Sequence, residues 1–184
     1  MSLFDQKAVA AAVRTEEDFS AALESKVDVI FLLYSSIMTV ESQIERAHKA
    51  GKKALIHMDF AEGIGKDRAG LHFIKLKGAD GILTTKTNMI RPAKDIGLVT
   101  VQRFFIVDSH SVDTAVESIR IAKPDVVEIM PGVVCKKICE FAEKVRNTPI
   151  LAGGLIEFKE DVDHAIASGA TAVSTADREL WNYR

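Results

Sequence analysis

The chain has 184 residues, of which 47% are hydrophobic and 27% charged, with a formal net charge of −2. This length can bury one sizeable core, so we expect a single domain over residues 1–184. No apolar run approaches the roughly 20 residues that span a membrane, and the first residues lack a signal-peptide pattern, so we expect a cytoplasmic protein without membrane contact. A net charge of −2 excludes attraction of nucleic acid by the overall electric field of the protein. Any nucleic-acid-binding surface must therefore be local.

Strand-like and helix-like segments alternate along the chain at a nearly constant interval. The predicted strands cover about 8–13, 27–33, 53–58, 80–84, 98–103, 125–130, 149–152 and 171–175. The predicted helices cover about 16–24, 40–50, 66–77, 87–95, 110–122, 133–146 and 158–168, with a short helical segment from 178. Their apolar residues recur at a spacing of about 3.6. The alanine-rich first strand is the weakest element, and a short helix is the alternative there.

Eight strands alternating with helices predict a parallel sheet, either closed into a barrel or open and doubly wound. The open sheet is disfavoured because no Gly-x-Gly-x-x-Gly follows the first strand. The prediction is therefore a compact (β/α)8 TIM-type barrel. Such barrels usually exceed ~200 residues, so we expect short loops and an irregular first or last unit.

The last two predicted strands end in small residues, Gly153-Gly154 and Ser174-Thr175. Glycines at a strand end let a ligand approach bare backbone N–H groups, and a short helix after Ala176 would point its N-terminus at the same space. On the last two strands of a barrel, this pair is the usual phosphate cradle. The sequence thus predicts a small phosphorylated ligand.

Polar residues at four neighbouring strand ends face the barrel mouth if alternate residues point inward. Each has a structural alternative: His57 as a core histidine, Asp59 as a loop cap, Arg103 and Glu128 as an internal ion pair, and Lys86 as a solvated helix start. Their convergence favours a liganded cleft, because unpaired charges are costly in a core. The predicted set is His57, Asp59, Lys86, Arg103 and Glu128.

Two further features of the sequence resemble parts of metal or phosphate sites. The loop 61–68 lacks the Gly-Lys-Ser/Thr ending of a Walker motif, and it is interpreted as a strand-to-helix connection, with a lid offering Lys66 to the mouth as the alternative. Cys135 and Cys139 lie four residues apart, but no second Cys/His pair completes a metal site, so we interpret them as two buried reduced thiols. No metal or cofactor is expected.

At these residues the chain resembles the glycerol-3-phosphate-responsive antiterminators, regulators of bacterial glycerol-uptake operons. The matching motifs occur in family order: His57-Met58-Asp59, Gly63-Ile64, Gly81-Ile82-Leu83-Thr84-Thr85-Lys86, Gln102-Arg103-Phe104-Phe105-Ile106-Val107-Asp108-Ser109, Lys123-Pro124-Asp125, Glu128-Ile129-Met130-Pro131-Gly132-Val133 and Ala152-Gly153-Gly154-Leu155-Ile156. The resemblance implies a barrel that binds glycerol 3-phosphate and then acts on leader mRNA to prevent early transcription termination. Lys86 stands where an arginine is expected in the family. The positive charge is kept, but the bidentate hydrogen bonding of a guanidinium to phosphate or RNA is lost.

The leading hypothesis is a regulatory sensor rather than an enzyme, with the glycerol end of the ligand held by His57, Asp59, Arg103 and Glu128. Its phosphate would lie on Gly153, Gly154, Ser174 and Thr175. RNA would contact basic rim residues, namely Lys66, Arg68, Lys86, Arg91 and Arg178. The alternatives are an isomerase, epimerase or lyase acting on a phosphorylated triose or sugar, and a metabolite-binding barrel without a nucleic-acid partner. The oligomeric state stays open, with a homo-oligomer among the possibilities.

Overall fold

The computed structural model describes residues 3–4 and 8–183. Its strands are β1 (Ala8–Val13), β2 (Val29–Leu32), β3 (Lys53–His57), β4 (Gly81–Thr84), β5 (Val99–Phe105), β6 (Val126–Met130), β7 (Ile150–Gly153) and β8 (Ala172–Thr175). Its α-helices are α1 (Glu16–Glu24), α2 (Val40–Lys49), α3 (Arg68–Leu76), α4 (Thr87–Asp95), α5 (Ser109–Ala122), α6 (Cys135–Lys144) and α7 (Lys159–Ala167). A 3-10 helix, η1 (Arg178–Asn182), follows β8.

The strands close into one parallel barrel in chain order, and β1 pairs with β8 through registers such as Val9 with Val173. This closure confirms the predicted (β/α)8 barrel and excludes the open sheet. It also confirms that the first element is a strand. Alanine suits this position because small side chains fit between the neighbouring strands and the interior of a narrow barrel.

Two apolar clusters follow from the two-residue period of the strands. One cluster fills the barrel and includes Phe31, Leu55, Leu83, Val101 and Leu151. The other lies between the strands and the helices. Residues two positions beyond the interior set therefore also face inward, at the C-terminal ends of the strands. This alternation places the polar residues at the barrel mouth.

The element bounds differ from prediction mainly where helices begin. α3 begins at Arg68 rather than near residue 66, because Asp67 accepts a hydrogen bond from the Gly70 N–H and caps the helix. The prediction of two buried thiols is wrong: Cys135 is half-buried and Cys139 is exposed, since α6 buries Ile138 and Phe141 instead. In the described part of the chain, every helix is too short or too polar to cross a membrane.

Candidate functional site at the barrel mouth

Four buried polar side chains form a connected chain of hydrogen bonds across the mouth. Arg103 Nη1 lies 3.2 Å from His57 Nε2, and Arg103 Nε donates to Glu128 Oε2 at 2.5 Å. Ser174 Oγ donates to the other carboxylate oxygen at 2.6 Å. We call these four residues the mouth network. The network joins β3, β5, β6 and β8. Each of its residues is at most 8% exposed, so it has little contact with water.

Gly153 has a structural role beside this network. A Cβ built on Gly153 would lie 2.5 Å from Glu128 Oε1 and 2.6 Å from Ser174 Oγ. The space of the missing side chain is therefore occupied by the Glu128–Ser174 hydrogen bond. The sequence predicted that Gly153 opens its backbone to a ligand, whereas the structure uses it to let a carboxylate and a hydroxyl meet.

His57 is neutral in this setting. Burial, together with the Arg103 guanidinium, lowers the pKa of His57 to about 4. Because the arginine can only donate, His57 Nε2 accepts and the proton is assigned to Nδ1. Nδ1 has no hydrogen-bond partner among the described residues. The ring stacks on Phe60, with centroids 4.4 Å apart and planes 11° from parallel.

Asp59 lies at the same edge but binds the neighbouring loop rather than joining the network. Its carboxylate accepts from the Thr84 hydroxyl at 2.8 Å and from the Thr85 N–H at 2.7 Å. Burial alone would raise the pKa of Asp59, but these hydrogen bonds outweigh it and keep that pKa below its usual range. Asp59 is therefore engaged in a structural role close to the loop-cap alternative, except that it caps the loop after β4 rather than the loop that follows it in the chain.

A cavity of about 530 Å³ opens beside the network, over the ends of β7, β8 and β1. Arg103 forms part of its wall, so the guanidinium joins the buried network to the open space. The wall comprises Ala12, Arg14, Leu33, Arg103, Met130, Gly154, Leu155, Ile156, Glu157, Phe158, Ser174, Thr175, Ala176 and Asp177. This volume suits a small metabolite. His57, Asp59, Lys86 and Glu128 are outside the wall.

The segment after β7 forms part of the cavity wall. Gly154 and Leu155 both have positive φ, of 76° and 60°, which turns the chain sharply at the strand end. Among the described residues, no group accepts from the N–H of Gly154, Leu155 or Ala176. Unpaired N–H groups beside a cationic side chain are the elements of an anion site.

Arg14 was missed by the sequence analysis. It follows β1 directly, is exposed and lies in the cavity wall, and its side chain makes no hydrogen bond or ion pair with the described residues. The signal was present in the sequence, because a cation one residue past a barrel strand lies at the mouth. The uncertain assignment of the first strand concealed it.

The hydroxyl and helix features near β8 differ from their predicted roles. Thr175 Oγ1 donates to the Ile156 carbonyl at 2.6 Å and accepts from the Asp177 N–H, so this hydroxyl ties two loops together. η1 begins two residues after Ala176, and the Asp177 carboxylate accepts from the Glu179 N–H. The predicted open helix N-terminus is therefore capped by the chain's own carboxylate.

The five candidate RNA contacts divide into two groups. Lys66 Nζ donates to the Ala61 and Ile64 carbonyls, which closes its own loop and argues against a lid lysine offered to the mouth. Arg178 pairs with Glu17 and Asp18, and their hydrogen bonds raise its pKa. The remaining three are exposed and have no side-chain partner among residues 3–4 and 8–183: Arg68, Lys86 and Arg91. Within that same range, no cluster of His, Cys, Asp or Glu could hold a metal ion.

The architecture defines a (β/α)8 barrel with a buried polar network and an anion-compatible cavity at its mouth. The sequence model described as "Glycerol-3-phosphate responsive antiterminator" matches residues 9–181. The uncharacterized protein YgcP of Escherichia coli is 36% identical over 182 residues, which are 98% of this chain and 95% of that protein.

Two solved structures are similar over nearly the whole chain. The glycerol uptake operon antiterminator regulatory protein from Listeria monocytogenes has a TM-score of 0.93 and 31% identity, with 100% of both chains covered. A glycerol uptake operon antiterminator-related protein from Thermotoga maritima has a TM-score of 0.85 and 33% identity, covering 96% of this chain and 98% of that one. The chain belongs to the glycerol-3-phosphate responsive antiterminator family, and this membership supports a regulatory role.

Proposed function

We propose that the protein binds glycerol 3-phosphate in the mouth cavity and acts on leader mRNA as a transcription antiterminator of glycerol-uptake genes. One observation carries the ligand assignment: two arginines line the same cavity as residues whose backbone N–H groups have no acceptor among the described residues. A phosphate dianion needs several donors and positive charge, and Arg14, Arg103 and the segment 154–155 offer both. The family's responsiveness to glycerol 3-phosphate supports the same ligand.

The geometry supports a revised pose for the ligand. Glu128 and Asp59 already accept hydrogen bonds from protein groups, and His57 lies behind Arg103. The phosphate is therefore proposed at the backbone of Gly154, Leu155 and Ala176 and at the Arg103 guanidinium, with the glycerol hydroxyls extending into the rest of the cavity. Gly153, Ser174 and Thr175 support the wall rather than bind the phosphate themselves.

The state of the acidic groups favours a sensor over an isomerase or lyase. A general base needs a free lone pair within reach of the substrate, at a pKa near the working pH. Glu128 and His57 lie outside the cavity wall, each Glu128 oxygen accepts a hydrogen bond from Arg103 or Ser174, and His57 has a pKa of about 4. The carboxylates in the wall are Glu157 and Asp177, and Asp177 already accepts from the Glu179 N–H. No lysine occurs among the described residues of the wall. A sensor also gains nothing from binding a transition state better than its ligand.

Calorimetry with glycerol 3-phosphate, inorganic phosphate and glycerol tests the ligand assignment. We expect stoichiometric binding of glycerol 3-phosphate and much weaker binding of glycerol, because glycerol lacks the dianion. Equal affinities for the two would contradict the phosphate site. NMR of the ligand incubated with the protein should show no turnover, and steady product formation would favour the enzyme instead.

A mobility-shift assay tests the regulatory part. Leader RNA of the protein's own operon should bind more tightly when glycerol 3-phosphate is present. By reciprocity, that RNA must tighten ligand binding by the same factor. If the ligand leaves RNA binding unchanged at moderate salt, the antiterminator assignment fails for this chain.

A further inference from the structure

An exposed aromatic ring follows β3, and three exposed cations without a side-chain partner among the described residues lie in or directly before α3 and α4. Phe60 is 61% exposed, although its inner side stacks on the buried His57 ring. Arg68 begins α3, Lys86 precedes α4 and Arg91 lies in the second turn of α4. We call Phe60, Arg68, Lys86 and Arg91 the β3–β4 face.

Hydrogen bonds hold the parts of this face together. The Asp59 carboxylate accepts from the Thr84 hydroxyl and the Thr85 N–H, which brings the loop after β3 against the loop after β4. Phe60 and Lys86 are the chain neighbours of these contacting residues. α3 and α4 pack against each other, so the basic residues that they carry lie on one side of the barrel.

The charge of the face favours an anionic partner. The nearby carboxylates of Asp59 and Asp67 are engaged by backbone N–H groups. Two exposed acids remain near the three cations: Glu62 in the loop after β3, and Asp95, which lines a small pocket together with Arg68. A two-fold contact with a second copy would pack this positively charged face against the same face of that copy, and like charges repel. Single-stranded RNA supplies both phosphates for the cations and bases for the ring.

We propose that the β3–β4 face is the RNA-binding surface, with a base stacked on Phe60 and phosphates at Lys86 and the two arginines. The proposal rests on the antiterminator function proposed above and adds the location of the RNA. It also gives the ligand a path to the RNA. Arg103 forms part of the cavity wall and donates to His57, and His57 supports Phe60. A phosphate that draws the guanidinium towards the cavity alters the support of the ring.

Fluorescence anisotropy of labelled leader RNA, with and without glycerol 3-phosphate, tests this surface. Phe60→Ala should weaken RNA binding about tenfold, and Phe60→Tyr should keep it within about twofold, because the stacking ring is retained. Lys86→Gln should weaken binding and lower the slope of log K against log salt by about one. In Phe60→Ala the effect of glycerol 3-phosphate on RNA affinity should also shrink.

Two matched control variants lie at the other end of the barrel, where α2 and α3 end. Leu76→Ala removes an apolar side chain that is more exposed than Phe60, at 84%, and lies at the end of α3. Lys49→Gln removes an exposed cation at the end of α2. Neither should change RNA binding. Ligand affinity, followed through the single tryptophan, should stay within about twofold in Phe60→Ala. Trp181 suits this readout because its indole donates to the Thr175 carbonyl in the cavity wall.

The outcomes separate this proposal from the function on which it rests. If the unaltered protein binds the RNA and both Phe60→Ala and Lys86→Gln bind it equally well, the RNA lies elsewhere and only the surface assignment is wrong. If light scattering shows that Phe60→Ala dissociates an oligomer, the face is a protein contact and the proposal is overturned. If the unaltered protein binds no RNA in either condition, the antiterminator function fails first and the surface assignment fails with it.

Discussion

The two sides of the barrel mouth differ in how their polar groups are used. On the β3–β6 side, the carboxylates of Asp59 and Glu128 and the guanidinium of Arg103 all have protein partners. On the β7–β8–β1 side, Arg14 and several backbone N–H groups have none among the described residues and surround a cavity. Hydrogen bonds between protein groups hold the first side together, and the second side is the one to which we assign the proposed ligand. Charged side chains at a strand end are therefore insufficient to mark the ligand contacts.

The largest expected effect comes from removing the central carboxylate of the closed side. Glu128→Ala leaves the Arg103 guanidinium buried without a counter-charge and the Ser174 hydroxyl without its acceptor. Breaking one partner of a buried ion pair costs about 3–5 kcal/mol in the free energy of unfolding. Urea denaturation measures it. Glu45→Ala, an exposed carboxylate on α2, should change stability by less than about 0.5 kcal/mol.

A small loss of stability in Glu128→Ala would contradict the difference drawn between the two sides of the barrel mouth. A loss below about 1 kcal/mol would mean that Arg103 reaches water or another anion through the cavity once its partner is gone. The β3–β6 side would then be a binding surface as open as the other one.

The second prediction concerns pH. Burial and Arg103 hold the pKa of folded His57 near 4, whereas an unfolded histidine titrates near 6.5. The unfolded state therefore binds more protons between these values, and stability falls as pH drops from 6.5 to 4, by roughly 3 kcal/mol in total. Asp59 has a lowered pKa, so its contribution to stability is lost only below about pH 4. Asp59 therefore adds little to the change in stability between pH 6.5 and 4.

Unfolding free energies from pH 7 to 4.5 measure this dependence. The His57→Gln variant lacks the titrating ring, so its stability should vary much less over the same range. An equally steep dependence in His57→Gln would assign the effect to other groups and would contradict a neutral His57 in the network.

The third prediction removes the hydroxyl at the end of the network. Ser174→Ala leaves Glu128 Oε1 without a donor, and a hydrogen bond to a charged group contributes about 2 kcal/mol. Thermal or urea unfolding checks this value. Ser42→Ala removes an exposed hydroxyl on α2 as the control and should be nearly neutral. Equal effects of the two variants would show that the Ser174 bond adds nothing to the network.

The barrel could be predicted from sequence because it depends on a repeated pattern. Alternation of strands with amphipathic helices specifies the parallel layers, and the two-residue period correctly turned His57, Arg103 and Glu128 inward. The partner of each side chain could not be predicted in the same way. Glu128 meets Ser174 only because Gly153 has no Cβ between them, which is a contact between three strands separated in sequence.

The differences between the predicted and observed surroundings of the site residues share one physical cause, which is competition from local hydrogen bonds. The Thr175 hydroxyl, the start of η1 and the Lys66 ammonium were all assigned to a ligand or RNA, and each is taken by a backbone group a few residues away or by a neighbouring loop. Such short-range partners satisfy polar groups at little entropic cost. A sequence pattern shows that a polar group lies at the mouth, but not whether the chain has already used it.

The smallest expected change in stability belongs to the open side, and it sharpens the comparison most directly. Arg14 is exposed and has no partner among the described residues, so Arg14→Gln should alter the free energy of unfolding by less than about 0.5 kcal/mol. It should nevertheless weaken glycerol 3-phosphate binding about tenfold, since a charge-assisted hydrogen bond to phosphate is lost. Calorimetry and urea unfolding on the same sample give both values. Arg14→Lys should keep part of the affinity, because lysine retains the positive charge but cannot donate the two parallel hydrogen bonds of a guanidinium. A variant that loses stability but keeps affinity would reverse the assignment, because Arg14 would then support the fold and the cavity would bind its ligand without it.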